Sequence, residues 1–384
     1  MRIEEYTPEL QKAEVFKVLE TLQDNWLTEG KKTQELEATL AEYFNCERVV
    51  MLPNGTLALF AALKVLGIGP GDEVLVPDFT FFGSASAVIL TGAKPVFVDV
   101  DEYDFNISVE SAEGSISSRT KAVMPVHVYG QSCDMLSVAK LAQRYGLLIV
   151  EDAAQGMGVT FDDRHVGTFG DIGCISFFAD KTITTGEGGA LILNDAELAK
   201  ECIYFKNQGR LNRGKFVHER VGYNFRITDL QAAIGVGQLA RLGEVIKRKQ
   251  VIRSAYYRRL RECPGVKIPI DNGFGNVVPF RANILVDDPE GLSAYLRERD
   301  IATRRFFYPL HLQPSLTPEN CVVRSKPIIS IRLFESGLML PSGLNLTEHQ
   351  ISRVCRTIEE FQTTVHDTVA AATERREVYD ESTS

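Results

Sequence analysis

Residues 121–156, KAVMPVHVYGQSCDMLSVAKLAQRYGLLIVEDAAQG, set two short apolar runs around a helical stretch, and this order decides the fold. KAVMPVHVY and LLIVED are apolar nearly throughout, as strands buried on both faces are, and MLSVAKLAQRYG reads as the helix between them. The alternation continues outward. Upstream, QELEATLAEYF and NGTLALFAALKVLG carry apolar residues at helical spacing, EVLVP reads as a buried strand, SASAVILTG as a helix and PVFVDV as a strand. Downstream, CISFF and ALILN are further strands. From about residue 35 to 195 the pattern predicts an α/β fold. A mostly parallel central sheet is covered by helices, and its ligands bind beyond the carboxyl ends of the strands.

RITDLQAAIGVGQLARLGEVIKRKQVIRSAYYRRLREC, residues 226–263, predicts one or two long helices leaving that sheet. ANILV, GLSAYLRERD and the amphipathic EHQISRVCRTIEEF then predict a smaller C-terminal α+β domain. The expected division is a large domain with its N-terminal segment over 1–244, a small domain over 245–366 and a polar tail over 367–384.

The 384 residues are long enough for one large core and a smaller one, and their composition, 44% hydrophobic and 24% charged, is that of an ordinary globular protein. A formal net charge of -9 opposes general attraction to nucleic acid or anionic lipid. MRIEEYTPELQKAEVF lacks a signal-peptide core, and no apolar run approaches the length of a membrane span, so a cytoplasmic location is expected. The seven cysteines are scattered, odd in number and without a CxxC pair. That spacing predicts reduced, mostly buried thiols rather than a disulfide framework or a zinc site, and no metal is expected.

GIGPGDEV, residues 67–74, has spaced glycines but closes a helix and leads into a strand, the reverse of a dinucleotide loop. Asn54, Gly55 and Thr56 stand where a helix begins, with unpaired N–H groups suited to an anion; a plain N-cap explains them as well. LLIVED ends in Glu151 and Asp152 at the ligand edge of the sheet, where a carboxylate either meets a cation or caps a turn. Gln155 lies three residues on. In CISFFADKTITTGEGGAL, Ser176 sits in or beside a strand, and Lys181 begins a segment broken by Gly186, Gly188 and Gly189. A lysine in so apolar and close-packed a stretch is a candidate for a desolvated, nucleophilic amine. An anion-binding helix start, an acid and a lysine together suit pyridoxal 5'-phosphate (PLP), whose phosphate, ring nitrogen and aldehyde need those three partners. PDFTFFGSASA offers an aromatic cover for the ring, with Phe81 best positioned among its phenylalanines.

The motifs NGTLAL, GDEVLVPDFTF, GAKPVFVDVD, PVHVYGQSCDM, EDAAQGMG, VGTFGDIGCISFFADKTITTGEGGAL, GYNFRITDLQAAIG and FFYPLHLQP occur in one order, within a resemblance that runs from about Asn25 to Phe361. Together they resemble the DegT/DnrJ/EryC1/StrS family of sugar aminotransferases. The resemblance implies PLP-dependent transferase fold type I, like that of aspartate aminotransferase, and a homodimer with shared active sites. It implies that Lys181 holds PLP as an internal aldimine, that Asp152 pairs with the ring nitrogen, and that Gln155 lies near the phenolic oxygen. Phe81 would stack on the ring, and Gly55, Thr56 and Ser176 would bind the phosphate, helped by Asn224 from the partner subunit. Within the family, TFGDI, SFF, KTITTGEGG, GYNFR and FYPLH are similar to the perosamine synthase branch, which aminates C4 of GDP-4-keto-6-deoxymannose. Ala179-Asp180-Lys181 stands where that branch has Gly-Asn-Lys. A related dehydratase branch has His in place of Lys181, so the lysine points to amino transfer.

The reaction so implied takes the amino group from L-glutamate, releases 2-oxoglutarate, and passes through pyridoxamine 5'-phosphate to a nucleotide-linked keto sugar. His127 and His311 are candidates to approach the sugar or nucleotide, with a structural role as the other reading of each. Amination at C3 or C4 of a UDP- or dTDP-keto sugar, or of a cyclitol, is the alternative within the class. A non-catalytic PLP-binding sensory protein is the alternative outside it.

Overall fold

The computed structural model describes residues 2–211 and 216–381, and within it one large sheet and one small sheet carry the architecture. In chain order the strands are β1 (Arg48–Leu52), β2 (Glu73–Pro77), β3 (Lys94–Val98), β4 (Thr120–Val123) and β5 (Leu148–Asp152). A short hairpin follows, β6 (Thr160–Phe161) and β7 (Arg164–His165), then β8 (Ile172–Ser176) and β9 (Gly189–Leu193). The later strands are β10 (Val266–Lys267), β11 (Ala282–Val286), β12 (Arg304–Arg305), β13 (Val322–Val323) and β14 (Gly337–Leu340).

The large sheet runs β1-β9-β8-β5-β4-β2-β3-β13, and only β9 opposes its neighbours, pairing antiparallel with both β1 and β8. Its strands are apolar because both faces are covered. Val74 and Val76 pack toward the Gly55–Val65 helix on one side, whereas Leu75 packs with Val138 and Leu141 of the Met135–Tyr145 helix on the other. Strand alternation thus assigns successive residues to two separate cores.

KAVMPVHVY is continuous strand only to Val123, but its pairing goes on: the Met124 N–H donates to Leu75 O of β2, Pro125 O accepts from the Asp152 N–H, and the His127 N–H donates to Asp152 O before the chain turns through Val128–Gly130. RVVML, which the sequence reading passed over, forms β1. The stretch 226–263 is two helices, Asp229–Ala240 and Leu242–Leu260.

The small sheet, β10-β11-β14-β12, buries Ile284, Leu338 and Leu340 against Leu292, Leu296, Ile351 and Ile358. Chain ends and sheets interleave. Ile3 bridges to Ile301 and joins the small-sheet core, while β13 adds to the large sheet beside β3. The final helix, Glu348–Glu381, continues through most of the stretch read as a polar tail, and residues 382–384 lie outside those described. None of the seven cysteines is paired, and six are buried. Among the described residues no helix is long and apolar enough to cross a membrane.

Lys249, on the Leu242–Leu260 helix, is 3% exposed and donates to the carbonyls of Pro279 and Phe280, both at 3.3 Å. Burial foremost, then Arg281, pushes its amine down from 10.5 to about 7, with Asp180 opposing. Between those two values the unfolded chain holds the proton that the folded chain has lost, so stability rises with pH, by at most about 1.4 kcal/mol per pH unit. Below about 7 both states are protonated and this contribution is flat. Lys249→Met is expected to remove that rise, which urea unfolding of both proteins at neutral and mildly alkaline pH will measure.

Candidate active site

A cavity of about 500 Å³ opens beyond the carboxyl ends of β5 and β8 and is roofed by Phe280, Arg304, Phe307 and Met339 from in and around the small sheet. Gly55, Thr56, Phe81, Asp152, Gln155, Ser176 and Lys181 all line it. Seven candidate residues separated by up to 126 positions are therefore brought to one wall system by the sheet edge.

Asp152 ends β5 and is 5% exposed. Its Oδ2 accepts from the Ser84 hydroxyl at 2.7 Å, and its Oδ1 accepts from the Ala154 N–H at 3.1 Å. Because the single proton of Ser84 goes to the carboxylate, the 3.1 Å contact between Thr80 Oγ1 and Ser84 Oγ has Thr80 as donor. Gln155, 8% exposed, accepts from the Tyr129 N–H at 2.7 Å through Oε1. That bond fixes the amide orientation and leaves its NH₂ group to donate.

Lys181 lies in the irregular segment after β8, with its side chain 14% exposed. The hydroxyls around it hold the loop. Thr184 Oγ1 donates to Phe177 O and accepts from the Gly186 N–H, while Thr185 Oγ1 donates to Glu187 O. The Lys181 N–H donates to Phe178 O at 3.0 Å, and Tyr6 donates its hydroxyl to Lys181 O at 3.1 Å. The ammonium nitrogen stands 4.0 Å from Asp180 Oδ1 and 4.9 Å from the Phe280 ring centroid. Burial lowers the Lys181 pKa below the ordinary lysine value; Asp180 and Asp152 oppose the shift, and Arg281 and Arg304 add to it.

The Gly55–Val65 helix brings its N-terminus against β8. Asn54 is its N-cap and accepts from the Leu57 N–H at 2.9 Å, which leaves the N–H groups of Gly55 and Thr56 for an anion. A Cβ on Gly55 would stand 2.9 Å from that of Ser176, and one on Gly189 would stand 2.4 Å from the Asn54 carbonyl. Glycine at both positions permits the backbone approach. Phe81 precedes the Phe82–Leu90 helix, and its side chain, 61% exposed, forms the rim.

The two histidines fall elsewhere. His127 is wholly buried, and its Nδ1 accepts from the Cys133 N–H at 3.1 Å, so Nε2 donates to Glu151 at 3.0 Å. Glu151 also accepts from the N–H groups of Gly167, Phe169 and Gly170. His311 Nδ1 donates to Asp78 at 2.8 Å and pins the turn at Leu310–Leu312 to the end of β2. Neither lines the cavity of its own chain, and each is held by a carboxylate of the chain itself, although Nε2 of His311 has no hydrogen-bond partner among the described residues. Asn224 is exposed, bridges to Asn207 and does not line its own chain's cavity.

Ser84, Phe178, Asp180 and Arg304 line the cavity without having been singled out. Ser84 had a readable signal, a hydroxyl in the first turn of a helix that starts at the ligand edge. Arg304 had none, since it arrives from the small sheet. Among the described residues no cluster of acids, histidines or cysteines could hold a metal.

Residues 8–359 match the DegT/DnrJ/EryC1/StrS aminotransferase family. A GDP-perosamine synthase of Vibrio cholerae is 36% identical over 93% of this chain and 98% of its own. A UDP-N-acetyl-3-dehydro-alpha-D-glucosamine 3-aminotransferase of Acidithiobacillus ferrooxidans is 34% identical over 86% and 88%. The solved structure of S. venezuelae DesV, in complex with a ketimine intermediate, superposes with a TM-score of 0.87 at 31% identity, covering 94% of this chain and 98% of that one. The fold is type I of the PLP-dependent transferases, and the chain belongs to the DegT/DnrJ/EryC1/StrS family as a PLP-dependent sugar aminotransferase.

Proposed function

We propose that the chain moves the amino group of L-glutamate to C4 of GDP-4-keto-6-deoxy-D-mannose, with Lys181 and Asp152 as its catalytic residues. The observation that carries this reading is the convergence on one cavity of a desolvated amine, a buried carboxylate and an open helix N-terminus. That arrangement fits PLP. Gly55, Thr56 and Ser176 would hold the phosphate, and the absence of a Cβ at residue 55 lets its backbone come up against Ser176 so that both face one anion. Asp152 would face the ring nitrogen, Gln155 would donate to the phenolic oxygen, and Phe81 would cover the ring. When bound, PLP supplies an electron sink beside the carbon that gives up its proton.

The chain's own groups do the rest. Burial favours the neutral amine of Lys181, which takes the proton from the α-carbon of glutamate and returns it to a neighbouring carbon. Asp152, clamped by Ser84 and the Ala154 N–H, is held in place where it would face the ring nitrogen of the cofactor. The same lysine, working in reverse order, serves the keto sugar. Likeness to GDP-perosamine synthase supports the substrate. Likeness to a UDP-sugar 3-aminotransferase supports a second reading, amination at C3 of a UDP-keto sugar.

A homodimer is part of the proposal. The Lys12–Gln23 helix is inverted: Glu14 and Thr21 are buried, and Glu14 pairs with Arg241 at 2.8 Å, while Val15, Phe16, Leu19 and Leu22 face outward at 46–62% exposure. An apolar face this large supports cover by a second copy, which would carry Asn224 toward the neighbouring cavity. Seven unpaired thiols support a reducing compartment, the cytoplasm.

Asp152→Asn preserves size while removing the charge, and turnover is expected to fall by at least about 100-fold with circular dichroism unchanged; near-normal turnover would remove Asp152 from its role. Across a panel of nucleotide keto sugars, the GDP-linked 4-keto substrate should give the highest kcat/KM, and a UDP-linked 3-keto sugar outrunning it would favour the second reading. Phe16→Asp with Leu19→Asp should sediment as a monomer where the parent sediments as a dimer.

A further inference from the structure

Asp180 is held among more cations than it can bond. Its Oδ2 meets Arg281 at 3.3 Å and Arg304 at 3.7 Å. Its Oδ1 is buried, has no hydrogen-bond partner, and stands 4.0 Å from the Lys181 amine, about 1 Å beyond hydrogen-bond length. Glu5 takes the other sides of the same arginines, at 3.3 Å from Arg281 and 3.0 Å from Arg304. Arg281 is fully buried and stacked on Phe280 and Tyr6, so it is fixed; Arg304 has a side chain 56% exposed and also lines the cavity.

The charged groups that face Lys181 are Asp180, Asp152, Arg281, Arg304 and Lys249, with Glu187 on the same cavity wall, Glu5 on the two arginines and the Tyr6 hydroxyl on its carbonyl. A buried carboxylate oxygen without a donor is costly, and the amine of Lys181 stands nearest to supply one, most strongly as an ammonium, whose charge assists the bond. We propose that Asp180 is a positioning residue: its unpaired Oδ1 is the seat to which the Lys181 ammonium returns whenever the lysine is not covalently engaged, and Arg304 competes for that carboxylate. Burial weakens the lysine's hold on its proton, whereas the seat strengthens that hold and aims it. The lysine can then hold the proton between its removal from one carbon and its delivery to the next. The inference rests on the assignment of Lys181 as the PLP lysine.

The test is the pH dependence of PLP capture by the full-length chain freed of cofactor. The neutral amine adds to the aldehyde carbon, water leaves, and borohydride hydride reduces the C=N bond to a secondary amine that peptide mass mapping locates. Only the unprotonated lysine reacts, so the capture rate rises through a midpoint set by its proton affinity. Asp180→Asn and Asp180→Ala remove an opposite charge and should lower that midpoint by about one pH unit, and Asp180→Glu should restore it. Arg304→Gln, at an exposed side chain, removes a competing cation and should raise the midpoint, which keeps the test open if the Asp180 variants do not fold. Coincident midpoints in all variants, or a lower plateau at an unchanged midpoint, would overturn the seat while leaving the function intact. No label on Lys181 in the parent chain would overturn both.

Discussion

Alternation along β5 separates two neighbouring acids, and the site depends on that separation. Glu151 points to one face, where three backbone N–H groups and His127 saturate it. Asp152 points to the other, where Ser84 and the Ala154 N–H satisfy part of it and the remainder faces the cavity. One acid is spent on tying the loop after β7 to the sheet; the other keeps capacity for a cationic partner. A one-residue slip of β5 against β4 or β8 would exchange the two and turn the cavity-facing carboxylate into the opposite core.

The same economy governs the amine. The loop after β8 has no regular hydrogen-bond ladder, and its threonine hydroxyls substitute for one. Those bonds hold the backbone around Lys181 while its side chain lines the cavity. Close contacts of Gly189 with the Asn54 backbone and of Gly55 with Ser176 then draw the Gly55–Val65 helix N-terminus to the two strands that this loop joins. Positive dipole end, amine and carboxylate are therefore fixed relative to one another by strands rather than by long loops.

The part of this arrangement carried by local pattern was legible in the sequence. Continuous apolar runs gave the strands of the large sheet, and the acid, the lysine and the helix start were visible because each sits at a break in such a run. What was not legible depends on distant partners. His127 and His311 look chemically available in the chain, yet Glu151 and Asp78 occupy them, and no spacing rule links residues 233 positions apart. Arg304 has no motif of its own and reaches the cavity only because the small sheet docks over it. The strand β1 was missed for a simpler reason: five residues between two strong helical patterns leave little room for a periodicity to register.

The Lys12–Gln23 helix has one further effect. The Glu14 link to Arg241 and Gln238 fixes the rotational phase of that helix about its axis. Turning its oily side inward would break those bonds inside a dry core, so a lone protomer has no cheap way to conceal it. In the proposed homodimer a second copy would cover that side, and the stability of the protein would then rise with its concentration.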